Sequence, residues 1–361
     1  MKKRVAVLGG GNGAHTMAAE MALAGYEVNM FELPKFRDKI EKVLNTKTIQ
    51  IEGVGRKGEA KLNVVSTKIE DVIRGVDFIM YTLPSFAHKP FAELCARHLE
   101  ENQTLVLWPG NFGTLEIAKI FREMNVKTKF KLAECSTLPY ATRLSGPGQA
   151  HLHSYATKVL FSAFPATDTT EIFSQLKDFF PMLQPARNIA EVALSNPNPI
   201  LHPPATLLNA GRIEYSKGNF HVYVEGITKS VQEVVKAIHR EFMMTGGALN
   251  VKPMDYEKSD FESSECIMNI AFPTGLRDIQ GPFNVHTDRY VTEDVPYGLV
   301  PIVQIAELAG IKMPVTRTMI TLLSAMNHVD YWRQGRTLGK MGVKDMDLDE
   351  FKTYLQIGKR D

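Results

Sequence analysis

Three side chains in the second half of this 361-residue chain have the types that proton transfer and carboxylate binding require: His202, Arg289 and Asp294. His202 sits in Asn196-Pro-Asn-Pro-Ile-Leu-His-Pro-Pro-Ala-Thr-Leu-Leu-Asn-Ala-Gly211, where Pro199, Pro203 and Pro204 pin it at the mouth of an apolar helix. Imidazole changes charge near neutral pH without help from its surroundings. Arg289 and Asp294 come from Asp288-Arg-Tyr-Val-Thr-Glu-Asp-Val-Pro-Tyr-Gly-Leu-Val300. A hydride delivered to C=O or C=N must be matched by a proton at the heteroatom, and histidine is the commonest donor. A carboxylate on the other ring nitrogen would hold the tautomer and stabilise imidazolium. A guanidinium would grip a substrate carboxylate through two parallel hydrogen bonds. Plainer readings stand beside these: a solvated histidine, a surface arginine, and Glu293-Asp294 as a helix-capping pair. Sequence alone does not bring the three together.

The elements that would position this chemistry begin at the other end of the chain. Gly9-Gly-Gly-Asn-Gly-Ala14 fits G-x-G-x-x-G/A, with a strand over 4–9 before it and a helix over 14–24 after it. Gly9 allows the tight turn, Gly11 the close approach of a pyrophosphate, and Ala14 close packing of helix on strand. Asn12 and Gly13 complete the turn, whose N–H groups and helix dipole suit phosphate. Glu32 ends the next strand, over 27–32, and is placed to accept both ribose hydroxyls and to repel a 2′-phosphate. That favours NAD, whereas Lys35 and Arg37 just beyond would suit NADP. Thr82-Leu-Pro-Ser-Phe86, with Leu83 and Pro84, and Trp108-Pro-Gly-Asn-Phe-Gly113 follow later strands, where the nicotinamide end should lie.

Strand patterns over 61–65, 77–82, 103–108, 129–134 and 158–164 alternate with helical ones over 87–99, 115–124 and 169–180. Such alternation predicts an α/β fold, a doubly wound parallel sheet with helices on both faces. From about residue 184 the strands cease and helices are expected over 205–215, 227–246, 299–309 and 315–327. The division is therefore a dinucleotide-binding domain over 1–185 and a mostly helical substrate domain over 186–361. Chemistry split between two domains suggests closure about a hinge near 180–190.

Composition narrows the partners. A net charge of +2, with 44% hydrophobic and 23% charged residues, gives no reason to expect nucleic acid or an anionic membrane surface. Cys95, Cys135 and Cys266 are too scattered for a disulfide framework or zinc site and read as reduced thiols. His151 and His153 have two-ligand spacing but no accompanying carboxylates or thiols, so no metal is assigned. With neither a secretory pattern nor a membrane-length apolar run, the expectation is a cytoplasmic protein. The apolar helices of the second half suit a homodimer interface as well as a monomer core.

Longer motifs carry a resemblance. With Gly9-Gly-Gly-Asn-Gly-Ala-His15 and the Pro109-Gly110 turn, the chain holds His202-Pro-Pro-Ala-Thr-Leu-Leu-Asn-Ala210 and Tyr223-Val-Glu-Gly-Ile-Thr228. Arg289 with Thr292-Glu-Asp-Val295, then Gly298-Leu-Val-Pro301 and Gly335-Arg-Thr-Leu338, extend the match over essentially its whole length. It resembles the opine dehydrogenase family, the octopine and nopaline type. The resemblance implies a Rossmann domain followed by a helical domain like that of 6-phosphogluconate dehydrogenases. It implies NAD(P)H-dependent reduction of the imine formed by an amino acid and a 2-oxo acid, pyruvate foremost. It also implies that His202 and Asp294 form the acid–base pair while Arg289 orients a carboxylate. Two other functions fit the same sheet: a 2-oxo-acid or 3-hydroxy-acid reductase acting on C=O, and a non-catalytic NAD(P)-binding sensor.

Overall fold

The computed structural model describes residues 3–263, 265–277 and 279–359. Its strands are β1 (Arg4–Leu8), β2 (Glu27–Phe31), β3 (Thr48–Gly53), β4 (Gly58–Lys61), β5 (Val64–Ser66) and β6 (Phe78–Tyr81). There follow β7 (Thr104–Leu107), β8 (Lys131–Cys135), β9 (Tyr140–Gly146), β10 (Gln149–Tyr155), β11 (Val159–Phe164) and β12 (Leu183–Pro185). Eight of them form one sheet in the order β12-β11-β8-β7-β6-β1-β2-β5. From β8 to β5 every pairing is parallel; β11 joins β8 antiparallel and carries β12 parallel to itself. This is the doubly wound arrangement expected. Its middle strands β6 and β7 are buried at every position, as strands covered on both faces must be.

The register decides where ligands can go. Leu8 pairs with Phe31 and with Tyr81, Tyr81 with Leu107, and Leu107 with Glu134. The carboxyl ends of β1, β2, β6, β7 and β8 therefore lie along one edge. The 9–14 turn, Glu32 and the 82–86 and 108–113 loops all emerge there, where ligands bind in open parallel sheets.

A second sheet, β4-β3-β10-β9, departs from the expectation. The single strand expected over 61–65 is divided between β4 and β5, which belong to different sheets. β3 and β10 alternate buried with exposed or half-buried residues, the pattern of strands with one covered face. Ile49, Ile51, Ala150 and Leu152 on that face share a core with Ala14, Met17 and Ala18 of α1 (Asn12–Leu23). The small sheet thus lies against the helix that opens the nucleotide turn, and β9 brings Thr142 and Arg143 to the cleft.

Beyond β12 the regular elements among the described residues are helices, those at Lys229–Ala248, Val300–Leu308 and Pro314–Asn327 lying close to the expected spans. The histidine segment differs. Its helix is Pro197–Leu207, so His202 sits mid-helix and not at its mouth, and a break precedes Ala210–Tyr215. Asn196 caps it by accepting from the Asn198 N–H at 3.0 Å. Pro197 stands in the first turn, where a missing N–H costs nothing. Pro203 and Pro204 do withdraw two donors, yet Leu208 and Asn209 end the helix only after one further turn. Two wide π-helical turns follow, Val222–Gly226 and Asp294–Leu299, and such turns often carry functional side chains.

Buried polar contacts also join the two halves on the β6–β7 side. Asn196 Nδ2 donates to Asn111 Oδ1 at 2.9 Å, and Glu293 Oε1 accepts the Ser85 N–H at 2.8 Å. Arg336 reaches across to Glu116. A hinge that opened the whole cleft would have to break all three.

Candidate active site

A cleft of about 620 Å³ runs from the 9–14 turn to His202. That is within the usual range for a cofactor or substrate site. At its nucleotide end Gly9 has φ +117°, and a Cβ there would stand 3.0 Å from the Thr82 carbonyl and from Leu83. The space beside Gly11 is open, so its missing side chain leaves room for a phosphate. Gly11 also caps α1 without a side-chain bond, which leaves the first N–H groups of the helix free to donate. Asn12 Oδ1 accepts from the Leu144 N–H at 3.0 Å and ties the turn to β9. A Cβ on Gly13 would meet Leu138 at 2.9 Å, and Ala14 is buried. These features fit a dinucleotide.

Glu32 lines the same cleft and is 5% exposed. Burial raises its pKa, while the Leu33 N–H at 2.7 Å and the Lys39 ammonium work against the shift. Lys39 is the lining cation here. Lys35 and Arg37, the residues expected to serve a 2′-phosphate, are exposed on the 3₁₀ turn Pro34–Ile40 and do not line the cleft. The turn carries Lys39 back toward Gly10 and Glu32, a placement the linear order hides. Leu83 and Pro84 line the opposite side.

Glu134, at the end of β8, organises the next loop. It is wholly buried and accepts from the Phe112 N–H at 2.9 Å, the Thr114 N–H at 3.1 Å and the Thr114 hydroxyl at 2.7 Å. These bonds hold Asn111 and Phe112 in left-handed backbone conformations at φ 52° and 63°. Trp108 and Pro109 thereby face the cleft.

At the far end the three predicted residues meet in part. His202 Nδ1 lies 2.8 Å from Asp294 Oδ2, both groups being buried. Since an ionised carboxylate only accepts, Nδ1 carries the proton and Nε2 is left for exchange. Nε2 lies 3.0 Å from the Tyr223 hydroxyl, and the Tyr290 ring stacks on the imidazole at 3.7 Å between centroids and 4° between planes. Burial pushes the Tyr223 hydroxyl well up and that of Tyr290 up, so both are neutral donors. Arg289 lines the cleft one residue before Tyr290 but does not touch His202; its guanidinium is 3.6 Å from Glu293 Oε2. Burial also raises the Glu293 pKa, opposed by Arg289 and the Ser85 N–H.

Tyr223, Tyr290, Arg143 and Lys39 were not singled out from sequence. Tyr223 and Tyr290 lay inside segments already quoted, and Tyr290 follows Arg289 directly. Arg143 and Lys39 had no such signal, because each depends on a turn or strand pairing.

The residues that build this cleft can be set beside known proteins. Residues 185–327 match the model of the NAD/NADP octopine/nopaline dehydrogenase alpha-helical domain. An opine dehydrogenase of Arthrobacter sp. (strain 1C) is 31% identical over 350 residues, covering 95% of this chain and 96% of that protein. The chain belongs to the opine dehydrogenase family. As an opine dehydrogenase it is an NAD(P)-dependent oxidoreductase. A vitopine synthase of Allorhizobium ampelinum is 26% identical, covering 94% of this chain and 95% of that protein. The structure of an octopine dehydrogenase with NADH and L-arginine superposes with a TM-score of 0.76 at 20% identity, covering 100% of this chain and 99% of that one. A ketopantoate reductase of Ralstonia eutropha JMP134 reaches a TM-score of 0.60 at 15% identity over 90% and 98% of the two chains. At those identities the likeness speaks for the fold, which the opine dehydrogenase shares with a carbonyl reductase. No helix among the described residues is long and apolar enough to cross a membrane.

Proposed function

We propose that this opine dehydrogenase condenses an amino acid with a 2-oxo acid, pyruvate foremost, and reduces the resulting imine to an N-(carboxyalkyl)amino acid. The reading rests on one observation: His202 is held by Asp294 at the end of a nucleotide cleft that also contains arginines 143 and 289. Two carboxylates flank the nitrogen of such a product, and two guanidinium groups suit them.

The 9–14 turn receives the pyrophosphate on N–H groups, and ionised Glu32 takes the ribose hydroxyls, which favours NAD over NADP. Bound NADH supplies the hydride. Asp294 keeps the His202 proton on Nδ1 and stabilises imidazolium. As hydride reaches the imine carbon, Nε2 gives its proton to the nitrogen, directly or through the Tyr223 hydroxyl. Tyr290 covers the ring face and keeps water from it. Arg289 grips the oxo-acid carboxylate. The division of labour falls at about residue 185, with nucleotide binding before it and proton chemistry after it.

NADH oxidation followed with pyruvate alone, amino acid alone and both together tests this reading. Oxidation only when both are present is expected. Oxidation with the oxo acid alone would make the enzyme a carbonyl reductase.

A further inference from the structure

One wall of the cleft comes from the stretch between residues 255 and 283. It supplies Met268, Phe272, Leu276 and Ile279, four apolar side chains that line the cleft beside Tyr223 and Tyr290. Each is less than a tenth exposed, so the wall is packed from behind. It is also fastened at both ends. The Thr157 N–H donates to the Ala271 carbonyl at 2.9 Å, and Gly275 lies against His153 so closely that a Cβ would stand 2.7 Å from it. At the far end the Val222 N–H donates to the Gly281 carbonyl at 3.1 Å, and the Gly281 N–H to the Phe220 carbonyl at 2.8 Å. Wall and Tyr223 are thus set by the same backbone pairing. No described residue of this stretch places a charge in the cleft.

Arg143 on β9 lines the same cleft. It is half-buried and has no carboxylate partner among the described residues; its one hydrogen bond is to the Thr142 carbonyl at 3.0 Å. Its charge lowers the pKa of both Tyr223 and Tyr290 against the larger effect of burial, which places it beside the proton chemistry. Arg289, by contrast, already has Glu293 near it. A cation without a carboxylate partner and an apolar wall in one cleft describe a ligand with a carboxylate at one end and hydrocarbon at the other.

We propose that the amine donor is an amino acid with an uncharged, apolar side chain, its carboxylate held by Arg143 and its side chain seated on Met268, Phe272, Leu276 and Ile279. The proposal rests on the opine dehydrogenase reading above and names its substrate class. A charged side chain would lose its hydration against this wall and find no counter-charge on the wall's own described residues.

The test is a series of kcat/KM values for the amine at saturating NADH and pyruvate, with both enantiomers of each amino acid. Along glycine, alanine, 2-aminobutyrate and norvaline, kcat/KM should rise by roughly fourfold per methylene. Methionine and phenylalanine should be used well, and arginine, glutamate and taurine on the order of 100-fold less well or worse. Arginine, glutamate or taurine at or above norvaline would overturn the apolar assignment while leaving the opine reading in place. Failure of every amine, charged or apolar, would overturn both. Arg143→Met should raise KM for the amino acid far more than KM for pyruvate, with Arg143→Lys recovering part of the loss. An unchanged amino-acid KM in Arg143→Met would overturn the carboxylate assignment.

Discussion

Arg336 Nε donates to Glu116 Oε2 at 2.8 Å with the guanidinium fully buried, so an ion pair stands at the centre of the contact between the two halves. The same guanidinium donates to the Gly110 and Asn111 carbonyls at 3.0 and 2.7 Å and to His88 Nδ1 at 3.1 Å. Its own N–H bonds the Pro296 carbonyl at 2.8 Å, inside the turn that begins at Asp294. The loop after β7 and the Asp294–Leu299 turn are therefore braced by one residue. Arg336→Met should destabilise the protein by about 3–5 kcal/mol in urea unfolding, because it leaves Glu116 buried and unpaired. Adding Glu116→Gln should recover part of that. An Arg336→Met loss below about 1 kcal/mol would show that the pair does not brace the interface.

Much of this arrangement was legible from residues alone. The order of strands 4–9, 27–32, 77–82, 103–108 and 129–134 prescribed the parallel sheet, since apolar runs between helices leave few other topologies. The nucleotide turn was legible because its glycines answer to backbone geometry that few other residues adopt. The small sheet was not, because β3 and β10 are short, half-polar and far apart in sequence; their pairing is tertiary. The helix through His202 was misplaced for a related reason. Prolines argue locally against a helix, and only packing of the buried Pro197–Leu207 segment overrides that. Lys39 replaced Lys35 and Arg37 at the cleft because the 3₁₀ turn Pro34–Ile40 sets which of the three points inward. Tyr290 became visible only once its ring was found on His202.

Buried histidines set a pH dependence of stability. Burial lowers the pKa of His15, His88 and His239 in the folded protein, while the unfolded chain protonates near about 6.5. Below that value the unfolded state binds protons that the folded state refuses, so stability falls as pH drops. The unfolding free energy should therefore decline between pH 7.5 and 5.5, and His88→Gln should flatten the decline. Glu32, Glu134 and Glu293 have pKa values raised by burial and work in the opposite sense, taking up protons in the folded state before the unfolded chain does. A stability that rises over the same interval would contradict this assignment.

Glu32 should control both cofactor choice and its pH dependence. Because burial raises its pKa, it begins to protonate above the ordinary glutamate value of about 4.3 as pH falls. NADH affinity, followed by fluorescence titration, should weaken on acidification from that higher onset, and Glu32→Gln should remove the dependence. Glu32→Ser should narrow the preference for NADH over NADPH, with Lys39 at hand for the extra phosphate. An unchanged NADH to NADPH ratio would exclude Glu32 from ribose binding.

Asp294 acts through the ring it holds. Asp294→Asn can still bond Nδ1 but no longer favours the protonated ring, so kcat should fall by about 10²-fold or more with little change in KM. A rise in KM with kcat unchanged would point to a merely structural contact.

We propose that His202, held at 2.8 Å by Asp294, moves the proton that accompanies hydride transfer. Turnover and NADH affinity measured side by side for His202→Ala test it most directly. The expected result is a loss of roughly 10²–10⁴-fold in kcat with the NADH Kd within about twofold of the parent. Near-parental turnover with both substrates present would contradict it.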